Sequence, residues 1–169
     1  MSKKDFDDFI NKQKKPSVDT DKKEEWLKYI NDFYSKVENF LSEYVKSDKV
    51  SLQTSEKNIT GKDIGDYTVK VLDIILGEHT VRLEPIGTDI IGVGVKGRID
   101  LIGENGRVKF LLKLTLMGCM KYAQQVAFPE ESLKPIELEW TIATPPPKIE
   151  YISLNQEVFL EALLEVIGG

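Results

Sequence analysis

This chain is poor in the residue types that most often carry catalysis. Its 169 residues include one cysteine, Cys119, and one histidine, His79. A lone cysteine excludes an intrachain disulfide and a cysteine cluster for metal, and it suits a reducing cytoplasm. Met117 and Met120 flank Cys119, which reads as a core residue. His79 sits beside a turn signal with no serine, cysteine or metal partner fixed near it, so a solvent-facing histidine is the simpler reading. No apolar run approaches the roughly 18 residues of a membrane helix, and the first ten residues lack the apolar region of a secretory signal. A net charge of −5 lacks the basic excess of a dedicated nucleic-acid binder. The expectation is a cytoplasmic protein with no membrane segment, no cofactor and no metal.

What the chain does have is β-type sequence between Gly65 and Leu116, divided by turn signals whose registers agree. Glu104-Asn105-Gly106-Arg107 carries Asn-Gly, the strongest short hairpin signal. A two-residue loop there pairs Leu101 with Phe110, Ile99 with Leu112 and Val95 with Leu116. A turn at Gly77-Glu78 sets Ile74 opposite Val81, Leu72 opposite Leu83 and Asp73 opposite Arg82. A three-residue loop at Gly87-Thr88-Asp89 pairs Leu83 with Val93, which puts Arg82 and Glu84 across from Gly94 and Gly92. All three turns predict one apolar face and one charged face, and a one-residue slip would bury the charges.

Helices bracket this meander. Trp26, Ile30, Phe33, Val37, Phe40 and Tyr44 form the apolar stripe of a helix over 21–46, with Asp21 and Glu24 as its capping pair. Packing of that stripe on the sheet is favoured over a helix-mediated dimer. Short strands are expected at Val50–Gln53, Asn58–Gly61, Ile136–Thr144 and Lys148–Ile152, with Pro145-Pro146-Pro147 as an extended break. Phe159, Ala162, Leu163 and Val166 mark a C-terminal helix at 154–167 that is apolar almost all round. The expected fold is α+β: a twisted antiparallel meander of about five to seven strands, packed with an N-terminal amphipathic helix and a C-terminal helix. One domain covers 21–169, and residues 1–20 form a flexible or loosely docked arm.

The charged face is the main candidate site. Arg82, Glu84, Lys96, Arg98, Asp100, Lys109 and Lys113 project from it together with Asp73, and Gly92 and Gly94 bare the backbone on the same side. Val69, Val71, Ile75, Ile90, Ile102 and Leu111 fall there as well, so part of the face must be covered. The competing reading is a solvated face laced with ion pairs such as Asp73–Arg82. Residues 130–169 offer a second surface, with eight glutamates against Lys134 and Lys148. The Gly92-x-Gly94-x-x-Gly97 spacing matches a dinucleotide fingerprint only literally, since it lies within a strand.

Asp100, a hairpin, then Leu111-Leu112-Lys113 resembles the Asp…(Asp/Glu)-x-Lys hairpin of the PD-(D/E)xK nuclease superfamily. The resemblance implies a metal-dependent nuclease in which Asp100 binds Mg²⁺ and Lys113 supports the attacking water. Leu111 stands where the second acid belongs, and Glu84 of a neighbouring strand is the substitute. Two functions follow. The favoured one is a non-catalytic module that binds another protein, of the immunity, inhibitor or accessory type, through the charged sheet face or the acidic C-terminal surface. The alternative is the degenerate nuclease. Homo-oligomerisation stays open, and nucleic acid is the less favoured partner.

Overall fold

A helix with an apolar stripe has to bury it, and here the stripe lies across a sheet. The computed structural model describes residues 3–13, 20–62, 64–88, 94–114 and 138–168, with residues 10–13 and 20 described by backbone alone. After helix α1 (Lys3–Gln13) comes α2 (Thr20–Lys46), followed by strands β1 (Ser51–Gly61), β2 (Gly65–Leu76), β3 (His79–Gly87), β4 (Val95–Gly103), β5 (Gly106–Leu114), β6 (Leu138–Ala143) and β7 (Tyr151–Ser153). Helix α3 (Gln156–Ile167) ends the chain's regular structure. The seven strands form one open antiparallel sheet in sequence order, so the fold is an α+β meander. Among the described residues no helix is long and apolar enough to cross a membrane.

Helix α2 buries Trp26, Ile30, Phe33, Tyr34, Val37 and Leu41, while Phe40 is half-buried and Tyr44 reaches solvent. The stripe drifts because 3.6 residues per turn do not keep a seven-residue repeat on one line. Against α2 and α3 lie Leu72, Ile74, Val81, Leu83, Ile99, Leu101, Phe110, Leu112, Trp140 and Ile142, the inner face of the sheet. Ring centroids chain through this core: Phe33 lies 4.9 Å from Trp140 and 5.1 Å from Phe110, which lies 6.0 Å from Phe159. The buried indole N–H groups are satisfied, Trp26 donating to the Tyr67 hydroxyl at 2.9 Å and Trp140 to the Tyr29 carbonyl at 3.2 Å. A Cβ on Gly97 would stand 2.2 Å from Trp26 Cζ3, so only glycine lets α2 come this close to β4.

The β2–β3 hairpin has the expected register, with Leu72↔Leu83, Asp73↔Arg82 and Ile74↔Val81. Two other registers differ. In β4–β5, Ile99 faces Phe110 rather than Leu112, a displacement of two residues, and the turn is Glu104-Asn105 between the paired Gly103 and Gly106. The cause is tertiary. Asn105 donates its backbone N–H to the Val166 carbonyl at 2.8 Å and its side-chain amide to the Glu165 carbonyl at 3.3 Å. The turn thereby satisfies the open carbonyls at the end of α3. Gly103 fits beneath them, since a Cβ there would sit 2.4 Å from the Val166 oxygen. In β3–β4, Leu83 faces Leu101 rather than Val93, a displacement of eight, and Glu84 faces Asp100 rather than Gly92. Both displacements are even, so Leu83, Ile99 and Leu101 stay on their expected face; before the shift at Gly97 the displacement is odd, Val95 pairing with Lys113 rather than Leu116.

Three smaller differences complete the comparison. The two short strands expected between 50 and 61 are one strand, β1, paired with β2 along its length. The strand expected at Lys148–Ile152 is shifted to Tyr151–Ser153. In β2 the buried face changes between Val71 and Leu72, where pairing with β3 begins. Tyr67 therefore reaches Trp26 although it alternates with the outer face. Helix α3 starts from an Asn155 cap that accepts the Val158 N–H at 2.9 Å and stops at Gly168, φ 90°.

Candidate functional site

The outer face of the sheet carries the charges, and most of them are paired. Asp73 accepts from Arg82 Nε at 2.9 Å, the cross-strand pair expected from the hairpin. Hydrogen bonding and charge from Asp73 hold the Arg82 guanidinium pKa above its ordinary value. Glu84 is held by Lys57 of β1 at 2.5 Å. Lys113 places its ammonium 3.5 Å from the centroid of the Tyr151 ring, a cation–π contact across β6. Lys96 and Lys109 are exposed. Gly94 lies in the turn before β4 with φ +73°, not across from Arg82 as the expected register had it. Gly92, Ile90 and Cys119 lie outside the described residues.

Asp100 is the exception among these charges because its side chain is 0% exposed. An isolated carboxylate there would cost several kcal/mol of lost hydration. Arg98 answers it with a parallel fork, Nε to Oδ1 at 2.6 Å and Nη2 to Oδ2 at 2.7 Å. Arg107 adds Nη1 to Oδ2 at 2.8 Å. The first of these partnerships raises the Arg98 pKa, with the hydrogen bond to Asp100 as the main cause. Arg98 and Asp100 are two residues apart in regularly paired β4 and so share one face, just past a register shift between Val95 and Gly97. Val69, expected on the same face, belongs to the core that holds Trp26 and Tyr67, whereas Val71 and Leu111 are buried outside the main core, in line with a partly covered surface. Thr141, also buried there, donates to the Leu111 carbonyl at 3.0 Å.

The register brings Glu84 directly opposite Asp100, while Lys113 pairs with Val95. Lys109, not Lys113, faces Asp100, and Lys113 lies four residues further on, about 13 Å along the strand. Both oxygens of Asp100 already accept from guanidinium groups, and Glu84 already holds an ammonium. Among the described residues no three His, Cys, Asp or Glu side chains gather as a metal site. His79 is exposed, with Glu104 3.9 Å away.

Beside this cluster, at the β6–β7 edge, lies a groove of about 530 Å³. Arg98, Arg107 and Lys109 line it on one side; Val158, Ala162, Glu161 and Glu165 of α3 line it on the other. Ile149, Tyr151 and Ile152 stand in it 52%, 41% and 42% exposed. A smaller cleft of about 320 Å³ runs between α2 and the β1–β2 hairpin, near Tyr34, Glu38 and Lys70. The sequence pattern placed the charges on one face but missed the groove. Its floor comes from a three-residue edge strand and the loop after a proline run, which show no periodicity. No family model matches this chain, and no curated protein or solved structure matches it either.

Proposed function

We propose that this chain is a non-catalytic module that binds another macromolecule, of the immunity, inhibitor or accessory type, in a reducing cytoplasm. One observation carries the reading. Three neighbouring apolar side chains, Ile149, Tyr151 and Ile152, stand in solvent within a groove whose wall is basic. Apolar groups clustered in a polar-rimmed concavity are what a partner's side chains cover, whereas singly scattered ones need no explanation. The basic wall supplies steering and orientation, since Arg107 is half-exposed beyond Asp100 and Lys109 is exposed. The glutamates of α3 extend the rim with the opposite sign, so the acidic C-terminal surface and the charged sheet face meet in one site.

Affinity capture from a lysate of the source organism tests this, with wild type beside Arg107→Ala/Lys109→Glu. A stoichiometric macromolecule captured by wild type and lost in the variant, with the variant still folded by circular dichroism, supports the reading. Capture that the variant retains in full places binding elsewhere on the molecule.

A further inference from the structure

We propose that Asn105 is a site of spontaneous deamidation, and that its conversion to a carboxylate releases the β4–β5 turn from the end of α3. This does not depend on what the molecule binds. An asparagine side chain is lost fastest when glycine follows, because the attacking backbone nitrogen is then unobstructed. Of the six asparagines only Asn105 has that neighbour; Asn11, Asn31, Asn39, Asn58 and Asn155 precede residues with side chains. Asn105 and Gly106 are both exposed. An added Cβ on Gly106 would meet nothing within 4 Å among the described residues, so the space for ring closure is open. The pair sits where the β4–β5 ladder ends, at Gly103↔Gly106, and ladder ends open at the least free energy.

The chemistry needs only water. Gly106 gives its backbone proton to solvent and its nitrogen bonds to Asn105 Cγ; the Cγ–Nδ2 bond breaks and that nitrogen leaves as ammonia. Water then opens the cyclic imide at either of its carbonyls. Breaking the newly formed bond leaves aspartate, and breaking the original peptide bond leaves isoaspartate, with the main chain routed through Cβ and Cγ. In the folded chain the lost amide donates to the Glu165 carbonyl at 3.3 Å, beside the bond from the Asn105 N–H to the Val166 carbonyl at 2.8 Å. A carboxylate has no proton to donate there, and it faces the negative end of the helix. Glu104 in the turn and Glu165 on α3 carry the same sign. Isoaspartate also lengthens the turn above Gly103, which has no room to yield, since a Cβ on it would stand 2.4 Å from the Val166 oxygen. Glu165 and Arg107 both line the groove, so the modification reaches its rim.

The test ages the full chain in warm, mildly alkaline buffer and follows every asparagine by peptide mass spectrometry. Asn105 is expected to convert first, to a mixture of aspartate and isoaspartate, while Asn58, also exposed, stays intact over the same period. Asn105→Gln, whose longer side chain closes a ring far more slowly, should stay intact as well. Release is read from two variants. Asn105→Asp and Asn105→Ala both lose the amide, and only the first adds charge. Hydrogen exchange at the amide of residue 105 and at Gly168, which donates to the Leu164 carbonyl, is followed in each. Exchange should be about two- to fivefold faster in Asn105→Asp at low ionic strength, the factor that a charge at a helix end supplies, and added salt should shrink the difference. Aged wild type, separated by ion exchange, gives the same comparison with Asn105→Ala if Asn105→Asp does not fold. Conversion at Asn105 no faster than at Asn58 overturns the site. Conversion at Asn105 with equal exchange in the two variants overturns the release.

Discussion

The two faces of this sheet are held by different physics. The inner face is apolar at nearly every position and closed by α2 and α3, with Phe33, Trp140, Phe110 and Phe159 in ring contact. Its stability comes from area and fit, so it is sensitive to volume. The outer face is built of charges that neutralise one another, with Asp100 at 0% exposure inside a double guanidinium clamp. Its stability depends on complete pairing, because a buried charge that loses its partner costs more than the pair contributes. A face of the first kind has no spare groups to offer a ligand. A face of the second kind has them wherever pairing ends, which here is Arg107 and Lys109.

Substitutions separate the two. Phe33→Ala, which empties the centre of the ring chain, is expected to cost about 3–5 kcal/mol in urea denaturation. Gly97→Ala should cost about 3 kcal/mol, since its Cβ would stand 2.2 Å from the Trp26 ring. A cost below about 1 kcal/mol would mean that α2 does not press on β4 as described. Arg98→Ala leaves Asp100 with Arg107 alone and should cost about 2–3 kcal/mol; adding Asp100→Asn should recover part of that loss. An additive double variant would refute the coupling.

Alkaline pH probes α2 through Tyr34. Burial raises its phenol pKa, and its hydroxyl donates to the Lys70 and Leu83 carbonyls. The folded state keeps this proton where the unfolded chain loses it. That contribution is fully present below pH 10 and falls as pH rises above it. Between pH 9 and 11 stability should drop by roughly 1 kcal/mol on this account, and Tyr34→Phe should remove that part of the slope. Lys109→Ala, at the open end of the outer face, should cost less than about 0.5 kcal/mol.

The assignment of faces was legible in the sequence because alternation has period two. Leu83 belongs inside whether it meets Val93 or Leu101, and Ile99 whether it meets Leu112 or Phe110. For the same reason alternation could not choose between those registers. The choice was made by α3, whose open carbonyls take Asn105, and by α2, whose Trp26 needs Gly97 beneath it. Both are contacts between residues distant in sequence. The candidate residues Arg98, Asp100 and Lys109 were on the correct face, but the clamp was not foreseen, since Arg98 and Asp100 alternate on one strand and read as neighbours rather than partners. The groove floor at Ile149–Ile152 carried no signal beyond isolated apolar residues after Pro145-Pro146-Pro147.

Residue-resolved amide hydrogen exchange on the free protein examines the contrast most directly, at Phe110 inside the sheet and at Tyr151, Ile152 and Ser153 on its edge. Phe110 should be protected to the level of global unfolding, and the three residues of β7 well below it. Protection of Tyr151, Ile152 and Ser153 comparable to that of Phe110 would show that the edge strand is as closed as the core, and the contrast would then fail.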